Sequence, residues 1–430
     1  MDTNLCYIIT IEYVRGDFMI KRSVSLLIVF TLLFSSFVFA EEEILTVEKA
    51  VELATEDQSA IEDINDGIEK LWDGYNAAKD GKKQVESTLS TLDRFEDLYN
   101  KKYVDKDTLD AFETAELEGY QMAFGDEPPH YTGQQMLDNF IRTRDLTWKS
   151  LYGDIQKTKN TRTTIMPSIE KGVKELYINI VALQTTLAQQ ETYLSISQTQ
   201  HDQLVIQHGL GQVSDADLKN SEQNLLILEK QTQQLGIQVA NLEMSLNQLM
   251  DVPVTAKYTL VDTVESLEIE ANHKTLDEYL DAAIINRTEM KNARIDLEIK
   301  EREDSIISQY LKNDLITDRV NADIAVITAR HALEQAEADV IDDISDGYIS
   351  MMTYWNDYQL SLQSLEIAKK NLSDIEKRLE LGQVTQTTVD LTAFSVLTAE
   401  NTVKSNIRNY QNAVDKMESA SGNGPAYGGK

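Results

Sequence analysis

Leu210-Gly211-Gln212-Val213 and Leu381-Gly382-Gln383-Val384 are one four-residue phrase written twice, 171 positions apart. Each copy closes one long helical pattern and opens another. The next residue carries a hydroxyl in both, Ser214 or Thr385, and a new apolar stripe begins at Leu218 or Val389. Glycine enters the left-handed region that stops a helix, and a serine or threonine beyond it caps the helix that follows by accepting a backbone N–H. Asp215 and Asp217 suit the first turn of that helix by charge. One such turn is an ordinary helical hairpin. Two of them at a fixed offset predict a tandem duplication.

The stripes on either side of the phrase support this reading. Leu218, Leu225, Thr232, Val239 and Leu246 recur every seven residues, with Leu228, Leu235, Leu242 and Leu249 at the second seam position. A strict heptad imposes a left-handed wrap on its helices. The arm before the first phrase carries Val173, Leu176, Ile180, Leu183, Leu187 and Leu194 at three- and four-residue steps. In the second copy Val389, Val396, Val403, Tyr410 and Met417 keep the seven-residue step, but Ala399 and Ala413 replace leucines. Smaller side chains allow closer helix approach but bury less area. The arm before it runs from about 314 to 381 and carries Ile324, Ile327, Leu333, Val340, Leu360, Leu365 and Ile367.

A second repeated element opens each half. Thr46 precedes Val47, Ala50 and Ala54, and Thr275 precedes Leu276, Tyr279 and Ala283. Both threonines are N-cap candidates, and Glu278 gives the second the partner of a capping box. Only 5 prolines occur, none of them within 168–252 or 254–424, so very long helices are permitted. The fold class expected is all-α: elongated coiled-coil hairpins in tandem. The first helical repeat spans 41–252 with its tip near 209–217. A link follows at 253–272, then a second repeat at 273–420 with its tip near 382–389. The Gly-rich residues 421–430 have the composition of a flexible tail.

Lys21 and Arg22, the apolar run from Val24 to Ala40 and small residues before Glu41 read as a secretory signal over residues 1–40, with Met19 a candidate true start. Cys6 is the only cysteine and lies in that segment, so disulfides and thiolate metal sites are not expected in an exported product. The net charge of −32 disfavours nucleic acid, which needs a basic footprint. His201 and His208 stand a heptad apart, which is the wrong spacing for a metal pair. Asp339, Asp342, Asp343 and Asp346 read as a solvated helix face, and Trp72, Trp148 and Trp355 as packing anchors. No catalytic triad, phosphate loop or nucleotide fingerprint occurs. Neither enzyme activity nor a cofactor is expected.

The opening Leu45-to-Ala54 pattern and the two turns resemble the outer-membrane efflux channel family, the TolC-like exit ducts. The turn matches are Gly211, Val213, Ser214, Asp217 and Leu218, then Gly382, Val384, Thr385, Thr388 and Val389. The resemblance implies a trimer and hairpin tips that meet a periplasmic adaptor coupled to an inner-membrane pump. It implies adaptor contact by Gly211, Gln212, Val213, Ser214 and Asp217 and by Gly382, Gln383, Val384, Thr385 and Thr388. It also implies export to the cell envelope, at the outer membrane or in the periplasm. The family inserts two strands per repeat into a membrane barrel. Here the corresponding stretches, about 75–160 and 301–330, lack alternation and read as helix. The function expected is a subunit of an envelope efflux or secretion duct. The alternative is an exported coiled-coil scaffold without channel activity.

Overall fold

The computed structural model describes residues 43–56, 59–311 and 316–427, without the side chain of residue 316. The secretory signal, Met19 and Cys6 lie outside the described residues. The chain divides into two compact units. In its described residues the first unit is a parallel pair of three-residue strands, β1 (Glu43–Leu45) and β2 (Tyr258–Leu260), in register Glu43↔Tyr258, Ile44↔Thr259 and Leu45↔Leu260.

The second unit is helical. Its first half consists of α1 (Val47–Glu56), α2 (Ser59–Tyr99), α3 (Ala111–Phe124), α4 (Gly133–Met136), α5 (Trp148–Gly209) and α6 (Asp215–Leu249). Two π-helical stretches, Asn100–Val104 and Leu137–Thr147, follow α2 and α4. The second half consists of α7 (Leu276–Asn286), α8 (Thr288–Tyr310), α9 (Ile316–Glu380) and α10 (Gln386–Ser421). Each half therefore runs short helix, long helix, long helix, tip, long helix, and the first half carries an insertion between α2 and α5. At 1.5 Å per residue α5 is roughly 93 Å long. It passes through Pro167 rather than starting beyond it. No helix of the described residues is long and apolar enough to cross a membrane.

The two openings fold alike. Thr46 Oγ1 accepts the Lys49 N–H at 3.2 Å. Thr275 Oγ1 accepts from Glu278 N–H at 3.3 Å while Glu278 accepts back from Thr275 N–H at 2.8 Å, a complete capping box. Ala50 and Ala54 on α1 are buried, as are Tyr279 and Ala283 in the same register on α7. The stretches 75–160 and 301–330, where barrel strands would stand, are helix, π-helix and loop in their described residues.

The seam of α6 holds: Val239 and Leu246 are buried and the other heptad leucines half-buried, except Leu249, which is 48% exposed and yields its place to Met250. The two seams differ in depth. On α6 only Val239, Leu246 and Asn247 are buried. On α10 Val389, Val396, Val403, Ile407, Tyr410, Ala413, Met417 and Ala420 all are. The reason is neighbours. α6 lies mainly on α5, whereas α10 packs against α9, α5 and α7 at once. Conversely Ile324, Ile327, Leu360 and Ile367 on α9, counted among the apolar residues of its arm, are each more than half exposed.

The link between repeats is tied down. Ile269 N–H donates to the Tyr358 hydroxyl at 3.0 Å, and that hydroxyl donates to the Leu267 carbonyl at 3.1 Å. Asn272 N–H donates to the Tyr410 hydroxyl at 2.9 Å. Asp262 meets Arg408, itself 2% exposed, at 2.8 Å, with Lys404 at 3.4 Å. Burial alone would raise the Asp262 pKa. The Val264 N–H and the two cations outweigh it and hold the carboxyl below its usual range. The closing residues are engaged too: Lys171 Nζ donates to the Ala426 and Tyr427 carbonyls at 2.9 and 3.2 Å, and Tyr427 N–H donates to Asp343 at 2.8 Å. Burial pushes the Tyr427 phenol up to about 12. Asp343, read as part of a solvated face, is bound by buried Arg287 at 2.7 Å; Asp339, Asp342 and Asp346 are exposed.

Candidate functional site

The two tips are the same structure built twice. At the first, Gly211 has φ +75°, its N–H donates to the His208 carbonyl at 2.8 Å, and Gln212 N–H donates to the Gln207 carbonyl at 2.9 Å. At the second, Gly382 has φ +67°, its N–H donates to the Leu379 carbonyl at 2.8 Å, and Gln383 N–H donates to the Arg378 carbonyl at 2.9 Å. This pair of bonds is the Schellman closure of a helix, with glycine in the left-handed position. Ser214 then caps α6 by accepting the Asp217 N–H at 3.2 Å, and its hydroxyl donates to the Asp217 carboxylate at 2.6 Å. Thr385 caps α10 by accepting the Thr388 N–H at 3.3 Å, and the two threonine hydroxyls lie 3.0 Å apart.

Gly211, Gln212, Ser214 and Asp217 are exposed, with Val213 half-buried; Gly382, Gln383 and Thr385 are exposed, with Val384 and Thr388 half-buried. The leucine that precedes each glycine, which sequence reasoning did not count among the contact residues, is among the most exposed apolar side chains of the molecule: Leu210 at 68% and Leu381 at 71%. Their equivalence was present in the repeated phrase itself.

The structure also brings both tips to the same end of the antiparallel helices, which no repeat pattern could state. α5 and α10 run antiparallel in contact. Lys416 meets Glu175 at 2.7 Å, Gln189 donates to Thr398 at 2.9 Å, and the Tyr193 and Phe394 rings lie 5.2 Å apart. Nearest the tips, Gln203 and Thr387 exchange hydrogen bonds at 3.2 and 3.3 Å. An open groove of about 430 Å³ lies below them, lined by Ile196, Thr199, Asp390, Ala393, Phe394 and Leu397 among others.

The histidines serve the first hairpin. His201 Nδ1 lies 3.1 Å from Ser221 Oγ and His208 Nε2 lies 2.5 Å from Asp215 Oδ1, so both reach across to α6. Among the described residues no group of three or more His, Cys, Asp or Glu side chains converges on a metal position. Both tips are closed reversals with hydrogen-bonded backbone and an exposed leucine at each crest.

No family model and no curated protein matches the chain. Solved structures do match. A membrane protein from Pseudomonas aeruginosa aligns with a TM-score of 0.58 at 12% identity, over 88% of this chain and 90% of that one. The Campylobacter jejuni CmeC outer membrane channel aligns at 0.51 and 11% identity, over 66% and 69%. The outer membrane protein VceC from Vibrio cholerae aligns at 0.50 and 11%, over 65% and 76%. Likeness at these identities is likeness of fold, and the chain is TolC-like in that sense: a tandem of coiled-coil helical hairpins with the fold of the outer membrane channels' helical body, and with helix where barrel strands are expected.

Proposed function

We propose that this chain is a subunit of a cell-envelope efflux or secretion duct, and that its paired tips dock an adaptor protein. The observation that carries this reading is the duplicated Schellman tip, both copies at the same end of the helices and crested by Leu210 and Leu381. Leu210 and Leu381 offer two matched apolar side chains for a protein partner to cover. The resemblance to outer membrane channels supports the same location and partners: the envelope, an adaptor and an inner-membrane pump.

A duct needs several copies, three by resemblance. The unpaired apolar rows supply faces for them. Leu226, Ile227, Ile237 and Met244 stand out from α6, and Ile324, Ile327, Ile349, Leu360 and Ile367 from α9, each 42–63% exposed. Seating the α9 row of one protomer against the α6 row of the next is a heterologous contact that closes into a ring.

The test is retention of an efflux dye in cells that lack the gene. Wild type restores dye export, and Leu210→Asp with Leu381→Asp does not, at equal abundance of the protein. A deletion strain that exports dye normally would favour the second reading, an envelope scaffold. That reading rests on the described residues of 75–160 and 301–330 being helix, π-helix and loop.

A further inference from the structure

Away from the tips, α8 runs antiparallel to α5 and to the π-helical stretch before it, and this seam opens midway into a cavity of about 570 Å³. Polar pairs close it at both ends. Arg142 meets Glu303 at 3.2 Å and Arg144 donates to the Tyr310 hydroxyl at 3.2 Å on one side. Lys157 meets Asp296 at 2.7 Å and Asn160 bonds Asn292 at 2.9 Å on the other. Between these clamps Gly153 lets the helices approach: a Cβ there would stand 2.5 Å from Ile299 Cδ1 and 3.1 Å from Ile295 Cγ2. The two isoleucines and Leu146 form an apolar floor, and Trp148 and Tyr152 form an aromatic wall. The Trp148 ring is fixed because its indole N–H donates to the Arg144 carbonyl at 2.9 Å.

Cations gather around this wall in a strongly acidic molecule. The chain carries a net −32, yet the ammonium groups of Lys79, Lys82 and Lys149 lie 5.6, 5.2 and 5.4 Å from the Trp148 ring centroid. Lys159 lies 5.2 Å from that of Trp72, whose ring abuts Tyr152. At the lip, Glu301 is met by Arg330, which leaves Lys149 and Arg302 facing one remaining carboxylate, Glu298. Among the described residues, Lys79, Lys149, Lys159 and Arg302 form no ion pair, whereas Lys82 and Lys157 do.

We propose that this cavity binds a small amphipathic anion: an apolar, preferably aromatic body on the isoleucine floor against Trp148, with a sulfonate or carboxylate between Lys149 and Arg302. Three observations select this occupant. The volume is that of a small-ligand pocket. The clamps make the cavity discrete, so a continuous partner helix does not fit it. The unpaired cations complement an anion, and an anion with an aromatic body uses both wall and lip. The site lies on a seam distinct from the tips and stands whether or not the chain forms a duct.

Anilinonaphthalene sulfonate is the probe, titrated calorimetrically against the intact protein beside its uncharged analogue phenylnaphthylamine. One saturable site per chain is expected for the sulfonate, with binding about tenfold or more weaker for the analogue and for Lys149→Gln with Arg302→Gln. Ser305→Trp fills the mouth without removing a charge and is expected to abolish binding. Lys377→Gln, near a tip, is expected to leave it unchanged. Circular dichroism confirms that each variant keeps its helix. Absence of a saturable site, equal affinity for the uncharged analogue, or binding untouched by the double substitution or by Ser305→Trp would each overturn the proposal.

Discussion

α6 and α10 hold the same place in their hairpins and begin from the same cap, yet they live in different surroundings. α6 has the richer leucine heptad, and it is the edge: five of its large apolar residues are at least 42% exposed, Leu226, Ile227, Ile237, Met244 and Leu249. α10 has valine, alanine and tyrosine at its seam, and it is the centre, with Leu391 at 37% its one comparably exposed apolar residue. A heptad states only that a helix has one partner. How deeply that helix is buried depends on the second and third neighbours, and those come from the duplication. Once two hairpins lie side by side, one descending helix must be inside and the other outside.

The comparison can be broken most forcefully at Arg408. Asp262→Ala leaves that guanidinium buried against α10 without its closest counter-charge, and a cost of about 3–5 kcal/mol is expected, measured by urea unfolding. The pH dependence has a definite sign. The folded carboxyl of Asp262 is depressed below its unfolded value, so its contribution is full above the unfolded pKa. It fades as pH falls through the folded one. Wild type should therefore lose stability in that acid range relative to Asp262→Asn. A variant as stable as wild type at neutral pH would contradict the central role given to α10.

Truncation sharpens the same contrast. Ile407→Ala, at a fully buried position on α10, is expected to cost about 2–5 kcal/mol, and Leu228→Ala, half-buried at the α6 seam, clearly less. Equal costs would mean that the two seams are equally deep in solution. At the tips, by contrast, the hairpins should behave alike. Gly211→Val and Gly382→Val each force a β-branched residue to positive φ, and each is expected to cost roughly 1–2 kcal/mol of stability. A large difference between them would mean that the tips are not equivalent.

Much of this was legible in the chain itself. The phrase Leu-Gly-Gln-Val located both reversals, because glycine and hydroxyl side chains act locally and need no tertiary partner. Thr275 and Glu278 announced their capping box for the same reason. What stayed hidden depends on distant residues. Tyr410 looks like one more seam position, and nothing local shows that its hydroxyl fastens Asn272. Arg408 is a charge on a helix until Asp262, 146 positions earlier, covers it. The tail 422–427 has the composition of a loose end, and the residues that hold it, Lys171, Lys291 and Asp343, are all distant in sequence. The exposure of Ile324 and Leu360 on α9 was equally unreadable, since an apolar stripe announces a buried face without naming what buries it.

The smallest expected effect on a single chain is the most telling one for the assembly. Ile227→Lys with Ile237→Lys alters only the outward row of α6, so unfolding of the isolated chain should change by no more than about 0.5 kcal/mol per site. Native mass by light scattering, on wild type and on this variant and with and without detergent, tests the central claim directly. The wild-type protein is expected to be an oligomer, three copies by resemblance, that the double substitution dissociates into folded single chains. A wild-type protein that is monomeric under every condition, or an oligomer indifferent to the α6 row, would contradict it.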